Sequence, residues 1–181
     1  MIHSKESIAA ALLAAAKDFQ RVYSEEELKA RLAPESWFVT APLPGKWTPG
    51  QHLDHLIKSV KPLNLAFGWA PRFYLRWQYG TPNRAGRSYE EVVKKYAQKL
   101  LVANPVNNPF SSGKVEAGQR ASLLQRFENQ HLKLAENLKS WSESDLDRYL
   151  LPHPLLGKVT LREMLFFTVH HIGHHRQIVQ K

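Results

Sequence analysis

Ile8, Leu12, Leu13 and Ala16 recur at helical spacing, so the first thirty residues read as one helix, or as two joined near Ser24, where Ser-Glu-Glu-Glu supplies a fresh start signal. Pro34 closes that stretch, and Ala41-Pro-Leu-Pro-Gly-Lys is a connector. A second helix opens at Thr48, with Pro49 at its first position and Gln51 placed to complete a capping box. Leu53, Leu56, Ile57, Val60 and Leu63 form its apolar stripe, and Pro62 is expected to kink or end it. Residues 64–87 crowd Phe67, Trp69, Phe73, Tyr74, Trp77 and Tyr79 among glycines and prolines, which suggests a helix extension and then a long surface loop, with the aromatics used for core or dimer packing. A short helix is predicted from Ser88 to about Ala103, and a turn-rich loop follows from Asn104.

From Glu116 to Ser140 the period is again helical, carried by Leu123, Leu124, Phe127, Leu132, Leu134 and Leu138. Trp141 to Val159 reads as a connection. Thr160 and Glu163 open the last helix with a second capping box. No stretch alternates in the manner of a strand, and no repeat or second domain stands out. The pattern predicts an all-α fold, a single domain over residues 1–181 built as a bundle of four main helices with an extra short helix and loop between the second and third.

Composition narrows the chemistry. The 181 residues include 25 Lys plus Arg against 16 Asp plus Glu, a formal charge of +9, with nine histidines and no cysteine. A chain of this length buries roughly 70% of its unfolded surface and needs neither disulfide nor structural metal to fold. Without cysteine there can be no thiolate zinc site, iron–sulfur cluster or cysteine nucleophile, so any metal must be held by nitrogen and oxygen. No apolar run approaches the roughly 20 residues of a membrane span, and the N-terminus lacks the ordered regions of a signal peptide. A cytoplasmic protein is expected. The basic residues are dispersed, as in Lys58/Lys61, Arg72/Arg76 and Lys94/Lys95, which favours a solvated surface over a nucleic-acid footprint.

The histidines are not dispersed. His170, His171, His174 and His175 fall within six residues of the last helix, and His52 and His55 lie in the first turns of the second. Residues four apart on a helix share a face, so His170 with His174, or His171 with His175, could aim two imidazoles at one ion, and a third from a facing helix would leave positions open for water or substrate. Leu161, Leu165, Thr168, Ile172 and Val179 centre the inward face of the last helix. At about 100° per residue, His175 lies roughly 60° and His171 roughly 100° from that centre, with His170 and His174 near the opposite side. Phase therefore selects His171 and His175 there, and on the second helix it selects His52 over His55.

Trp47-Thr-Pro-Gly-Gln-His-Leu-Asp-His55-Leu, with His171-Ile-Gly-His-His175-Arg-Gln far downstream, resembles the DinB-like family, also called DinB/YfiT-like. The tract from Pro152 to His171 is similar to that family's approach to its last helix, and the resemblance spans about residues 47–179. It implies a four-helix bundle with a divalent metal ion, commonly nickel or zinc, held by three histidines at one end. Carried over, those ligands are His55, eight residues after the tryptophan, with His171 and His175. Gln177 stands one residue earlier than the family often has it, and a register shift of one would select His170 and His174 instead.

The resemblance further implies a metal-dependent enzyme in which the ion activates water or a thiol: a hydrolase, or a transferase attaching a low-molecular-weight thiol such as bacillithiol or mycothiol to a small electrophile. A small-molecule substrate and a homodimer are the expected partners. Asp54 and Glu163 are the carboxylates nearest these motifs, though capping or surface roles suit both better than acid–base chemistry. The alternatives are a bundle that binds metal without catalysis, or a basic protein associated with nucleic acid.

Overall fold

Apolar residues spaced three and four apart bury one stripe of each long helix, and four such stripes close around one another. The computed structural model describes residues 2–24, 34–68, 70, 72–103 and 109–181. The proposed restart after Ser24, along with Trp69, Pro71 and the first residues of the loop at 104–108, lies outside them.

Helix α1 (Lys5–Arg21) is capped by Ser4, whose hydroxyl accepts from the Ser7 amide. A short α2 (Pro34–Val39) precedes α3 (Pro49–Gly68). The predicted capping box forms: the Thr48 amide donates to Gln51 Oε1, and the Gln51 amide to Thr48 Oγ1. Helices α4 (Arg72–Tyr79) and α5 (Tyr89–Leu100) follow. A 3₁₀ turn at Ala117–Gln119 then leads into α6 (Arg120–Leu138). After α7 (Glu143–Arg148), strands β1 (Leu150–His153) and β2 (Gly157–Thr160) pair antiparallel, Leu150 opposite Thr160 and His153 opposite Gly157, and deliver the chain to α8 (Leu161–Gln180).

Helices α1, α3, α6 and α8 form the bundle. Each packs on two of the others, α1 on α6 and α8, and α3 on the same pair. Ile8, Leu12, Phe19, Leu53, Phe127, Leu134, Leu165 and Ile172 are fully enclosed between them. Among the described residues no helix is long and apolar enough to cross a membrane.

The structure corrects several sequence expectations. Pro62 does not end its helix: α3 runs on to Gly68, because Pro62 sits on the exposed side, where water can solvate the carbonyl that the missing amide leaves free. The expected loop after residue 70 contains α4. The aromatics of residues 64–87 divide, with Phe73 and Trp77 of α4 left 76% and 78% exposed while Phe67, at the end of α3, enters the core. Leu132, counted in an apolar stripe, is 49% exposed, and His131 beside it is fully buried. The connection from Trp141 to Val159 contains α7 and the hairpin. In that hairpin a three-residue turn is closed by Gly157 at φ +74°, a conformation that favours glycine.

Glu163 is also corrected. It caps α8 as expected, with Thr160, but it is wholly enclosed instead of lying at the surface. Both its oxygens are bound by the Arg84 guanidinium, at 2.6 and 2.7 Å, and the Arg87 amide donates to Oε1 at 2.7 Å. Burial alone would raise its pKa, but these donors outweigh burial and hold the carboxyl below its ordinary value. The pairing ties the segment before α5 to the first turn of α8.

Candidate metal centre

Helices α3 and α8 run antiparallel, so residues one turn apart on one helix meet residues one turn apart on the other in reverse order. His52 Nδ1 lies 2.7 Å from His175 Nδ1, and His55 Nε2 lies 3.1 Å from His171 Nε2. Within α8, His175 Nε2 is 3.0 Å from His171 Nε2. His55, His171 and His175 thus present one ring nitrogen each to a common point, all within 4.8 Å of one another and all three residues buried. Glycine at residue 50 lets the first turn of α3 seat against Phe38 and Val115, whose side chains would stand 2.9 Å from a Cβ there.

Neighbouring groups set the proton on at least one of these rings. The carbonyl of Phe110 can only accept, so His55 donates to it from Nδ1 at 2.9 Å, and a neutral His55 keeps a bare lone pair at Nε2. That loop is itself fastened to α3: Lys58 donates to the Ser111 carbonyl, the Ser112 hydroxyl to Asp54, and Gln51 to the Gly113 carbonyl. If His175 donates from Nδ1 to His52, its Nε2 is bare as well. The ring of Trp47 closes the outer side, 4.9 Å from His55 and nearly parallel to His175 at 6.4 Å, and Phe167 stacks on His171 at 4.8 Å.

All these imidazoles are held neutral. Burial, then the neighbouring histidines, pushes His171 and His175 well below 6.5. Burial first, with His55 and His174 next, lowers His52 to about 4, and burial lowers His55 too. Neutral imidazole is the form that ligates metal.

The donor set fits a divalent ion. His171 Nε2 faces two imidazole nitrogens at 3.0 and 3.1 Å, yet a single hydrogen on it can serve only one of them. At least one contact of the cluster therefore has no hydrogen of its own to bridge it, an arrangement a cation between the nitrogens would relieve. Three nitrogens bound at about 2.0–2.1 Å to one ion stand about 3.3 Å apart, close to the spacing found.

Of the residues singled out in the sequence, His55, His171 and His175 are brought together. His52, the choice made on phase alone, stands directly behind His175. His170 and His174 are half-buried and lie outside the three-nitrogen cluster, with ring centres 5.8 and 6.3 Å from Tyr96, though His174 also borders the cavity and packs 5.3 Å from His175. Asp54 accepts from Ser112 and pairs with Lys58 at 2.7 Å. Motif reading assigned no part to the Phe110 carbonyl, Tyr96 or His153. Pro152-His153-Pro154 falls in the segment that the sequence reads only as a connection.

A cavity of about 910 Å³ opens from the histidines, bounded by Trp47, Tyr74, Tyr96, Phe110, Leu151 and Phe167 among others. The long stretch between the second and third main helices therefore shapes a pocket.

A sequence model for the DinB superfamily matches residues 10–179. No curated protein matches the chain. Among solved structures the chain is similar to TT2238, described as a four-helix bundle protein, with a TM-score of 0.55, 14% identity and 98% of each chain covered. That likeness is one of fold.

Proposed function

The chain belongs to the DinB superfamily, and from that premise we propose that it is a metal-dependent enzyme whose divalent ion, zinc or nickel, is held by His55, His171 and His175. The observation that carries the reading is the convergence of three buried, neutral ring nitrogens, two of them 3.0 and 3.1 Å from the third. An all-nitrogen set without thiolate suits those ions.

When bound, such an ion lowers the pKa of water or of a thiol towards neutrality and polarises a carbonyl. The chain's own residues do the rest. Phe110 fixes the His55 tautomer through its carbonyl, and His52 orients His175 from behind, as outer partners of ligating histidines commonly do. Trp47 packs over the ring of His55 at the border of the cavity, and the cavity holds the small molecule. The reaction class is hydrolysis, or transfer of a low-molecular-weight thiol to an electrophile.

The test starts from tag-free protein stripped with a chelator and reloaded with Zn²⁺ or Ni²⁺, offered activated esters, and separately a thiol with a small electrophile. Turnover in the reloaded protein, absent after stripping and absent in His171→Ala, supports the reading. Turnover that survives both stripping and His171→Ala contradicts it.

A further inference from the structure

The cavity is built from a notable selection of side chains. The protein carries 25 Lys plus Arg, yet among the described residues no lysine, arginine, aspartate or glutamate lines this space. Leu63, Ala66, Leu75, Leu151 and Met164 make much of the wall. A carboxylate or phosphate brought here would leave water without a fixed counter-charge on the walls, and its lost hydration would weaken binding. An apolar body meets no such penalty.

His153 and Tyr96 are buried on this wall, and each carries a polar group without a partner among the described residues. His153, at the end of β1, receives the Leu155 and Leu156 amides on Nδ1, both at 3.1 Å. Nδ1 is therefore the acceptor, and a neutral ring must carry its proton on Nε2. Burial lowers the pKa of this ring to about 4, which keeps it neutral. Nε2–H has no protein partner among the described residues and is not sealed off, since the ring borders the cavity.

The same holds for the Tyr96 hydroxyl. Its ring meets His153 edge-on at 6.2 Å and His171 at 6.4 Å. Phe167, 4.2 Å from His153 and 4.8 Å from His171, bridges this pair of donors to the histidine cluster. Two donors on an otherwise apolar wall describe the ligand atom that suits them: an oxygen that accepts.

We infer that the cavity receives an uncharged, largely apolar small molecule bearing a carbonyl-type oxygen, as in a ketone, ester or amide, and that His153 Nε2–H and the Tyr96 hydroxyl donate to that oxygen. This rests on the proposed function for the identity of the neighbouring site, and it names the substrate class that site would act on. A neutral imidazole held in one tautomer by two backbone amides is a preorganised donor, aimed without reorganisation at the place where negative charge grows when such a carbonyl is attacked.

The test uses 2-octanone labelled with ¹³C at its carbonyl, octanoate, and three proteins: wild type, Tyr96→Phe and His153→Asn. Asparagine keeps an oxygen for the Leu155 and Leu156 amides but lacks the far N–H, and an unchanged melting temperature confirms that the hairpin stands. The bound carbonyl resonance should lie downfield of its position in hydrocarbon solvent and move back upfield in each variant. It should do so in both the ion-loaded and the chelator-treated protein.

In the chelator-treated protein octanoate should bind at least about 100-fold more weakly than the ketone, the ratio expected for about 2.7 kcal/mol. A resonance unmoved by either substitution, equal binding of octanoate, or failure of the ketone to bind overturns the inference. A resonance that responds to chelation but to neither substitution overturns it while leaving the proposed metal site standing. Persistence of the shift and its loss in both variants, in protein that takes up no ion, supports the inference and removes the metal reading.

Discussion

Helix α8 buries a carboxylate in its first turn at Glu163 and two imidazoles at His171 and His175, and the surroundings of the two sites differ in kind. Glu163 receives donors on both oxygens from Arg84, the Arg87 amide and the Thr160 amide, so its charge is fully answered from within the chain. Farther along the helix His171 Nε2 faces the nitrogens of His55 and His175, and a single hydrogen on it cannot serve both. The first arrangement holds the fold together. The second groups three buried imidazoles that could hold a metal ion, as expected of a candidate binding site.

The largest effect should come from breaking the satisfied end. Glu163→Ala leaves Arg84 without its partner and α8 without its cap, and is expected to cost about 3–5 kcal/mol, read as a shift in the urea midpoint of metal-free protein. A loss below about 1 kcal/mol would erase the contrast between the two ends.

Acid separates buried imidazoles from the buried carboxylate. His131, wholly enclosed with Nε2 unpartnered, has its pKa lowered to about 4 by burial, against 6.5 when unfolded. The unfolded chain takes up the proton first, so this residue's contribution is whole above about pH 6.5 and is lost as pH falls towards 4, by about 2–3 kcal/mol. Glu163, held below 4.5, keeps its contribution until pH falls below that value. Unfolding free energies between pH 7.5 and 4.5 should therefore fall in wild type and fall less steeply in His131→Phe. Equal slopes would refute the assignment.

At the unsatisfied end, His171→Leu should change the stability of metal-free protein by less than about 1.5 kcal/mol, because an apolar side chain of similar volume replaces a polar group whose contacts are not all productive. A loss as large as that of Glu163→Ala would show that the cluster is structural. Smallest of all, Asp54→Asn, which disturbs a partly exposed pair with Lys58, should cost at most about 1 kcal/mol and leave ion binding intact.

What could be read from the chain follows the range of the interactions. The inward turn of His171 and His175 depends only on the phase of α8, and Thr48 with Gln51 is a contact three residues long, so both were legible. Phase selected His52, yet His52 and His55 are both buried: in the antiparallel register each meets a histidine of α8, and which one reaches the common point is set by the partner helix. The hairpin escaped notice because four-residue strands, one containing Pro152, are too short to show alternation. Glu163 looked like a surface cap because Arg84 and Arg87 lie 79 and 76 residues away in sequence. Tyr96 and His153 are joined to the site only by packing across α5, the hairpin and α8, which no local pattern encodes.

The central claim is that three histidines hold one ion, and calorimetric titration of Zn²⁺ into tag-free, chelator-stripped protein addresses it most directly. The account predicts one ion per chain in wild type and in His170→Ala/His174→Ala, and none at this site in His55→Ala/His171→Ala/His175→Ala. Undiminished binding in that triple variant, or binding lost with His170 and His174 instead, would contradict it.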